Sequence, residues 1–328
     1  TKTTKEALFN DKVNAAVSDL HAQRQITKWD EDETPTGWED DVTRRNGAID
    51  RLLGLAKEEP ESAPRIARML SIYVKELSRD TEYPAKTAPK TGDTAVLSQW
   101  AHNLTFARSD MQNAVQVLGK LRTESGQPLD GGEIDLSETN LQGFDLKSLN
   151  FENVSFLKAQ LQGANLSHAK LQGANLRFAE LQWAVLGHAK LQGAYLMHAQ
   201  LQGAYLEGTR LQGANLDCAQ LQGASLIGAQ LQGAKLRHGQ LDASTMILDI
   251  TSFANAALMG VDLSETTITH EQLSEAFGDA SVILPDGKGP SDPEWPKHWS
   301  KEDLDLVNFN TQWRTFQEAN GFDPNNPN

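Results

Sequence analysis

The chain has 328 residues, enough for two or three domains, and a formal net charge of −14. This balance argues against a general binder of nucleic acid or of anionic membranes, because both require an excess of Lys and Arg. The charge is also uneven, with 23 acids against 18 bases in residues 1–135, 7 against 8 in residues 136–246 and 14 against 4 in residues 247–328.

A single cysteine, Cys218, excludes an internal disulfide and favours a reducing compartment. The chain contains no secretory signal and no apolar run of about 18 residues that could span a membrane. We therefore predict a cytoplasmic protein. The first residue is Thr1 rather than Met, so we expect that an upstream segment could have been removed.

Residues 1–134 are predicted to form an α-helical domain, because their apolar residues recur at helical spacing. Pro64 falls in the first turn of one of these helices, after Ser62 as its cap. Thr81–Gly92 contains two prolines and is predicted to be a linker or an exposed loop. The predicted helices cover residues 4–25, 42–55, 62–77 and 93–121.

An aliphatic residue returns at every fifth position between about Asp135 and Thr269. The pattern is clearest at Leu161, Leu166, Leu171, Leu176, Leu181, Leu186, Leu191 and Leu196, and a small residue, usually Ala, stands two positions before each leucine. Neither the helical period of about 3.6 nor the strand period of 2 gives a strict period of five. The segment is therefore a structural repeat.

The five-residue period has a direct geometric interpretation. In an extended segment alternate residues face the same way, so each small residue and its leucine both point inward. The next two residues must then turn a corner, and the second of them is often glycine, which tolerates unusual backbone angles. Four such sides make a coil of 20 residues, and successive coils stack through parallel backbone hydrogen bonds about 4.8 Å apart.

Folding the sequence at 20 residues per coil predicts columns of outward side chains. Glutamines form two ladders, whose amides are expected to bond along the axis; their members are Gln162, Gln182, Gln202 and Gln222, and Gln172, Gln192, Gln212 and Gln232. Trp183 replaces a corner glycine and is expected to protrude. The candidate interaction residues are Trp183, Tyr195, Tyr205 and a basic column of Lys170, Lys190 and Arg210.

The repeat is expected to change phase near its end. Met246 keeps the earlier phase, whereas Phe253, Leu258 and Leu263 come two residues later, so we predict a bulge or an enlarged coil near Ile247–Ser252. Residues 270–328 are then predicted to form short capping helices and a tail. Thr269 and Gln272 make a capping box for the first helix, and Ser300 is predicted to cap the last one.

Few residues suggest chemistry. His270 and Glu271 begin like a zinc-protease helix, but Ser274 stands where the second histidine must be. The corner column of His198, Cys218 and His238 offers soft metal ligands, yet its residues point outward without a fourth ligand, so a solvated or packed column is favoured. No phosphate loop, nucleophile elbow or paired carboxylates occur, and we predict no catalytic site and no cofactor.

The unit Ala164-Asn165-Leu166-Ser167-His168, repeated throughout this segment, resembles the pentapeptide-repeat proteins. The resemblance implies a mainly β fold, namely a right-handed quadrilateral β-helix over residues 135–269, between an α-helical domain (1–134) and helical capping elements (270–328). The flanks, with Arg45-Asn46-Gly47-Ala48-Ile49-Asp50-Arg51-Leu52 before the repeat and Leu284-Pro285-Asp286-Gly287 after it, are similar to a bacterial subgroup. Its members often carry membrane-spanning helices upstream.

The first functional hypothesis is a non-catalytic scaffold that binds an unidentified protein partner, with no direct nucleic-acid contact. Any membrane association, at the inner face of a bacterial membrane, would come from a segment not present in this chain. An alternative is modulation of a type II topoisomerase (gyrase), as in the quinolone-resistance pentapeptide proteins, which resemble duplex DNA. That role requires an acidic rod, and the repeat carries only +1. A metal or redox site at Cys218 is the third hypothesis.

Overall fold

A computed structural model of the chain describes residues 2–26, 37–81, 83–106, 108–129, 132–247 and 251–323. The chain divides into two compact units, one of Thr1–Tyr83 with Phe106–Ile134 and one of Pro84–Thr105 with Asp135–Asn328. The α-helices in chain order are α1 (Lys2–Leu20), α2 (Val42–Glu58), α3 (Ala63–Ser78), α4 (Thr94–His102), α5 (Ser109–Ser125), α6 (His270–Ser274) and α7 (Leu306–Ala319). The strands are β1 (Gln23–Ile26), β2 (Gly37–Asp40), β3 (Ala257–Leu258) and β4 (Phe277–Gly278), and 3-10 turns lie at Pro60–Ser62 and Pro285–Gly287.

The first unit is a bundle of α1, α2, α3 and α5 with an antiparallel hairpin of β1 and β2. Helix α2 begins at Asp41, whose side chain accepts a hydrogen bond from the backbone N–H of Arg44, and α5 ends at Gly126, where φ is +69°. The single helix predicted over residues 93–121 is wrong. Two helices occur there, and only the second, α5, belongs to the bundle, because its apolar stripe packs on α2 and α3.

A buried polar network lies inside the bundle. Asp110 is fully buried and accepts hydrogen bonds from Arg108 Nη2 (2.8 Å), Tyr73 Oη (2.8 Å) and the backbone N–H of Met111 (2.9 Å). Burial alone would raise the pKa of Asp110, but these donors, led by Arg108, outweigh it and hold the pKa below its usual range. The carboxylate is therefore charged and fully paired inside the helical unit.

The repeat of the second unit forms a coil with 20 residues per turn. Parallel bridges join each outward residue to its equivalent twenty positions later, from Asp135 and Ser155 to Gln220 and Gln240. They recur every five residues, so four ladders run along the coil, each of isolated bridges rather than long strands. The inward leucines and alanines are fully buried, as predicted. The fold is thus a β-helix solenoid accompanied by an N-terminal helical region.

The corners of the coil lie at the second residue after each leucine, as predicted. The backbone there is left-handed, with φ of +64° at Gly163 and +65° at Gly173. Non-glycine residues adopt the same angle at other corners, including His168, Trp183 and Cys218. Because the coil requires this conformation at every corner, packing between coils imposes it even on side chains that disfavour it.

The coil widens near its end, but earlier than the sequence suggested. Ser225 pairs with Met246 and Gln230 with Ser252, so one extra residue has entered before Met246 and a second after it. Met246 is 48% exposed and Ile247, at 2%, takes the inward position. The prediction that Met246 keeps the inward phase is therefore wrong. The predicted irregularity at residues 247–252 partly lies outside the described residues, at 248–250.

The C-terminal elements cover the end and one side of the coil. The capping box of Thr269 and Gln272 at α6 is confirmed, and β4 pairs in parallel with β3. Helix α7 begins at Leu306 and is capped by Asp305, so the prediction that Ser300 caps it is wrong. Its Phe309 and Trp313 form a buried cluster with Ala257 and Phe277, which anchors α7 to the side of the coil.

Candidate functional site

The main candidate site is a groove between α4, with the extended segment before it, and one face of the coil. We call it the Trp183 groove; it encloses about 560 Å³. Leu97 and Trp100 of α4 line it, and so does Trp183 of the coil. Its remaining lining consists mainly of residues 85–88 and of Gln142, Gln162, Gln182, Gln202 and Gln222.

The segment before α4 is fastened to the coil by Gln142. The backbone N–H of Lys86 donates to Gln142 Oε1 (2.7 Å), and Gln142 Nε2 donates back to the carbonyl of Lys86 (3.0 Å). The side-chain amide thus satisfies both backbone groups of one extended residue. The expectation that Thr81–Gly92 is a linker or exposed loop is therefore incomplete, because Lys86 within it is bonded to the coil.

Glycine corners let the end of α4 approach the coil backbone. A Cβ at Gly143 would lie 2.4 Å from the carbonyl oxygen of Leu104, and one at Gly163 would lie 2.3 Å from that of Ala101. Any side chain at these two corners would force α4 away. Glycine at these two positions therefore has two roles. It adopts the left-handed angle of the corner, and it leaves room for the end of α4.

The glutamine ladder forms the neutral floor of the groove. Gln182 Nε2 donates to Gln200 Oε1 (2.6 Å) and Gln222 Nε2 to Gln240 Oε1 (2.8 Å), and Gln202 bonds to Gln220 in the same way. The predicted bonding along the columns is wrong, because among the described residues no predicted ladder member bonds to the next one; a bond of that kind joins Gln162 only to Gln142 (3.2 Å), which lies outside the predicted ladder. The later amides bond diagonally instead. Each donates to a residue of the neighbouring column, which begins at Gln160, and this acceptor lies two residues before the next glutamine of the ladder in the sequence.

Trp183 does not protrude as the sequence suggested. It is half-buried, and its ring lies against the next corner, where a Cβ on Gly203 would meet Trp183 Cε3 at 2.5 Å. The absence of a side chain at Gly203 lets the indole lie flat along the coil. The ring is thereby fixed as one wall of the groove.

Charge is sparse in the groove. Lys86, Glu180 and Asp242 are its charged lining residues, and Glu180 accepts a hydrogen bond from Gln162 Nε2. Burial would raise the pKa of Asp242, but hydrogen bonds from Ser244, the backbone N–H of Gly223 and Thr245 more than offset this and lower it. With aromatic walls and an amide floor, the groove suits an uncharged, largely apolar segment.

The other candidate surface residues lie apart from this groove. Lys170 bridges to Lys190, and Lys190 to Arg210, so the basic column is formed as predicted. Tyr195, which is 51% exposed, stands in a different column. Tyr205 faces α4, and its ring lies 6.0 Å from that of His102. The structure therefore does not bring the predicted residues together into one patch.

The Cys218 column is occupied by ring contacts. His198 stacks on Phe178 with the centroids 4.8 Å apart, and the His238 ring lies over Gly260, where a Cβ would be 2.3 Å from His238 Nδ1. Among the described residues no group of three His, Cys, Asp or Glu side chains is placed to hold a metal. The metal hypothesis for this column remains a prediction, which elemental analysis of untagged protein would test.

Sequence reasoning missed Leu97 and Trp100 as groove residues, as well as a second cavity beside α7. Both α4 residues were assigned to the helical domain, because their spacing only shows that they face inward. Lys235 and Arg237 look like ordinary outward residues of the repeat. No sequence signal indicates which helix covers which side of a solenoid.

The second unit is thus a β-helix of five-residue units that carries lateral helices. Residues 134–173, 174–213 and 204–241 match the family model of pentapeptide repeats, in eight copies. The chain belongs to the pentapeptide-repeat proteins. No curated protein matches it, and none of the helices in the described ranges is both long and apolar enough to cross a bilayer.

Several solved structures are similar to this chain. The pentapeptide repeat protein Rfr23 from the cyanobacterium Cyanothece 51142 is 39% identical over 29% of this chain and 65% of its own length, with a TM-score of 0.29. A pentapeptide repeat protein from Nostoc PCC 7120 is 35% identical over 26% of this chain and 69% of its own, with a TM-score of 0.25. QnrB1, a plasmid-mediated fluoroquinolone resistance protein, is 19% identical over 58% of this chain and 87% of its own, with a TM-score of 0.31.

Proposed function

We propose that this protein is a non-catalytic interaction module and that its Trp183 groove binds a short apolar segment of a protein partner. The observation that carries the proposal is that Trp100 and Trp183 line the same cavity of about 560 Å³. Aromatic side chains supply large apolar contact areas and are common anchors in protein interfaces. The neutral floor and sparse charge favour an uncharged segment with a bulky side chain over an acidic or basic one.

The coil is the rigid support of this groove. Its walls depend on backbone hydrogen bonds that repeat along four ladders, five residues apart in each coil. We also propose that the coil is square in cross-section and winds in the right-handed sense. The four ladders support the square cross-section. A binding site on such a frame is preorganised, so little conformational entropy is lost when a partner binds. The domain limits at residues 134 and 269, and a cytoplasmic location, remain predictions.

A photo-crosslinking side chain at Gln202 tests the groove directly. Gln202 lines the groove, whereas Gln192 belongs to the other ladder in the same sequence context and serves as the matched control. We expect one protein to crosslink reproducibly from position 202 and not from position 192, and to be lost in Trp183→Ala but retained in Tyr195→Ala. Equal crosslinking from both positions, or loss only in Tyr195→Ala, would contradict the proposed site.

DNA mimicry toward a type II topoisomerase is the alternative role. The stacked Lys170, Lys190 and Arg210 and the net +1 of residues 136–246 argue against it, because a mimic of duplex DNA needs a dense negative surface. A gyrase supercoiling assay decides between the two roles. We expect no effect of this protein, and protection or inhibition of gyrase would reverse the order of the two proposals.

A further inference from the structure

A second cavity lies between α7 and the last regular part of the coil, and it encloses about 730 Å³. Lys235 and Arg237 enter it from the coil, and Asn310 and Arg314 from α7. The site therefore combines side chains from two separate elements. It exists only because Phe309 and Trp313 fix α7 to the coil.

Lys235 is the cation that the coil places beside the aromatic ring of α7 in this cavity. It is half-buried, and its Nζ lies 5.7 Å from the ring centroid of Trp313. Burial lowers the pKa of Lys235, the neighbouring Arg237 and Arg314 lower it further, and Asp217 only partly opposes them. Within the described residues no carboxylate forms a salt bridge with Lys235 or with Arg314.

Arg237 plays a different part, because it is already paired. Its Nε donates to Asp217 Oδ1 (3.0 Å), its Nη2 bonds to the same carboxylate, and its Nη1 donates to Asn310 Oδ1 (3.2 Å). This bonding holds the guanidinium in one position. The carboxylates that line the cavity, Glu318 and Asp323, are both exposed residues of the C-terminal segment.

We propose that this cavity binds the phosphate group of a small phosphomonoester through Lys235 and Arg314. Lys235 is half-buried, and within the described residues neither Lys235 nor the exposed Arg314 forms a salt bridge, so a ligand that supplies negative charge would offset the cost of burying the ammonium group of Lys235. A dianionic phosphate neutralises both cations, whereas a monocarboxylate neutralises only one. The cavity is larger than inorganic phosphate, so it has room for an attached organic group. The net charge of −14 gives anions no general attraction, and binding must therefore depend on this local pair.

Titration of the full chain with inorganic phosphate and with glucose 6-phosphate, followed by calorimetry, tests the proposal and distinguishes the two sources. We expect glucose 6-phosphate to bind with a Kd below about 1 mM and more tightly than inorganic phosphate. Lys235→Met and Arg314→Gln should each weaken binding about tenfold or more. Lys190→Met removes a lysine from the equivalent outward position on another column and should leave binding unchanged.

Three results would overturn the proposal: no binding of either probe, equal weakening by Lys190→Met, or tighter binding of inorganic phosphate than of the ester. A phosphopeptide that binds when both small probes fail would assign the cavity to a protein partner instead. If the variants do not fold, amine labelling of the unmutated chain tests the same site. Glucose 6-phosphate should slow the labelling of Lys235 and not that of Lys190, and an unchanged rate at Lys235 would also refute the site.

Discussion

The indole of Trp183 lies directly over Gly203, its equivalent one coil later, at a distance that leaves no room for a Cβ. This contact explains why a large aromatic residue is tolerated at a corner of the coil. The corner angle is left-handed at both residues, with φ of +58° and +66°. The indole thus packs on a residue that has no side chain, and a side chain at Gly203 would displace this wall of the groove.

Gly203→Ala is therefore expected to destabilise the coil more than Gly193→Ala. Both substitutions place a β-carbon on a left-handed residue, which costs about 1 kcal/mol, but a Cβ at Gly193 meets no atom within 4 Å. The clash with Trp183 should add about 1–3 kcal/mol at Gly203. Denaturant unfolding followed by tryptophan fluorescence measures the difference. Combining Gly203→Ala with Trp183→Ala should remove the excess, and an excess that persists would show that the indole is not its cause.

Asp217→Asn is expected to lower the free energy of unfolding by about 2–3 kcal/mol, because it leaves the guanidinium of Arg237 without its partner in a largely enclosed site. The two side chains are 8% and 14% exposed. Glu138→Gln is the matched control, since Glu138 also pairs with a cation twenty residues later, Lys158, but both side chains are more than half exposed. That substitution should cost less than about 0.5 kcal/mol. Equal effects in urea unfolding would mean that burial does not strengthen the pair.

The helical unit is expected to lose stability as the pH falls below about 4, the ordinary range for an aspartate. The folded pKa of Asp110 is lowered, so its contribution is complete above the unfolded pKa and is lost as the pH falls through the folded one. Asp110→Asn should flatten this dependence while costing stability at neutral pH. Urea unfolding followed by helical circular dichroism, at several pH values, measures the slope.

Glu124→Gln is the control for this pH dependence. Glu124 pairs with Lys57 on the surface of the same unit, where solvent screens the interaction. The slope of the Glu124→Gln variant should stay close to that of the unmutated chain. If Asp110→Asn changes the slope no more than this control does, the acid sensitivity belongs to other carboxylates.

Asp305→Ala should loosen the start of α7. The Asp305 carboxylate accepts hydrogen bonds from the backbone N–H groups of Val307 and Asn308, both at 2.9 Å, and losing such a cap costs about 1 kcal/mol. Hydrogen exchange in the first turn of α7 should become faster. Ser300→Ala, at the residue that sequence reasoning favoured as the cap, should leave this exchange unchanged. The opposite result would place the beginning of the helix at Ser300.

The sequence by itself determined the solenoid. Leu161, Ala164 and their equivalents are buried because a strict period of five places the same pair of apolar residues inward in every unit. The corner glycines and the stacked columns follow from the same period. Local signals were also sufficient at Thr269 and Gln272, since a capping box needs only two residues three positions apart.

The lateral contacts were decided only by the tertiary structure. Leu97 and Trp100 have the spacing of an inward helical face, but spacing does not reveal that they line a groove together with Trp183. The proximity of Lys235 and Arg314 was equally hidden. Arg314 is nearly eighty residues away along the chain and is brought near only when α7 packs on the coil. A period describes interactions that repeat along the chain, whereas the groove and the cationic cavity each form once, between segments of unrelated sequence. The physical reason is that packing between distant segments depends on the complementary shapes of both surfaces. The sequence of one segment contains no information about the surface of the other.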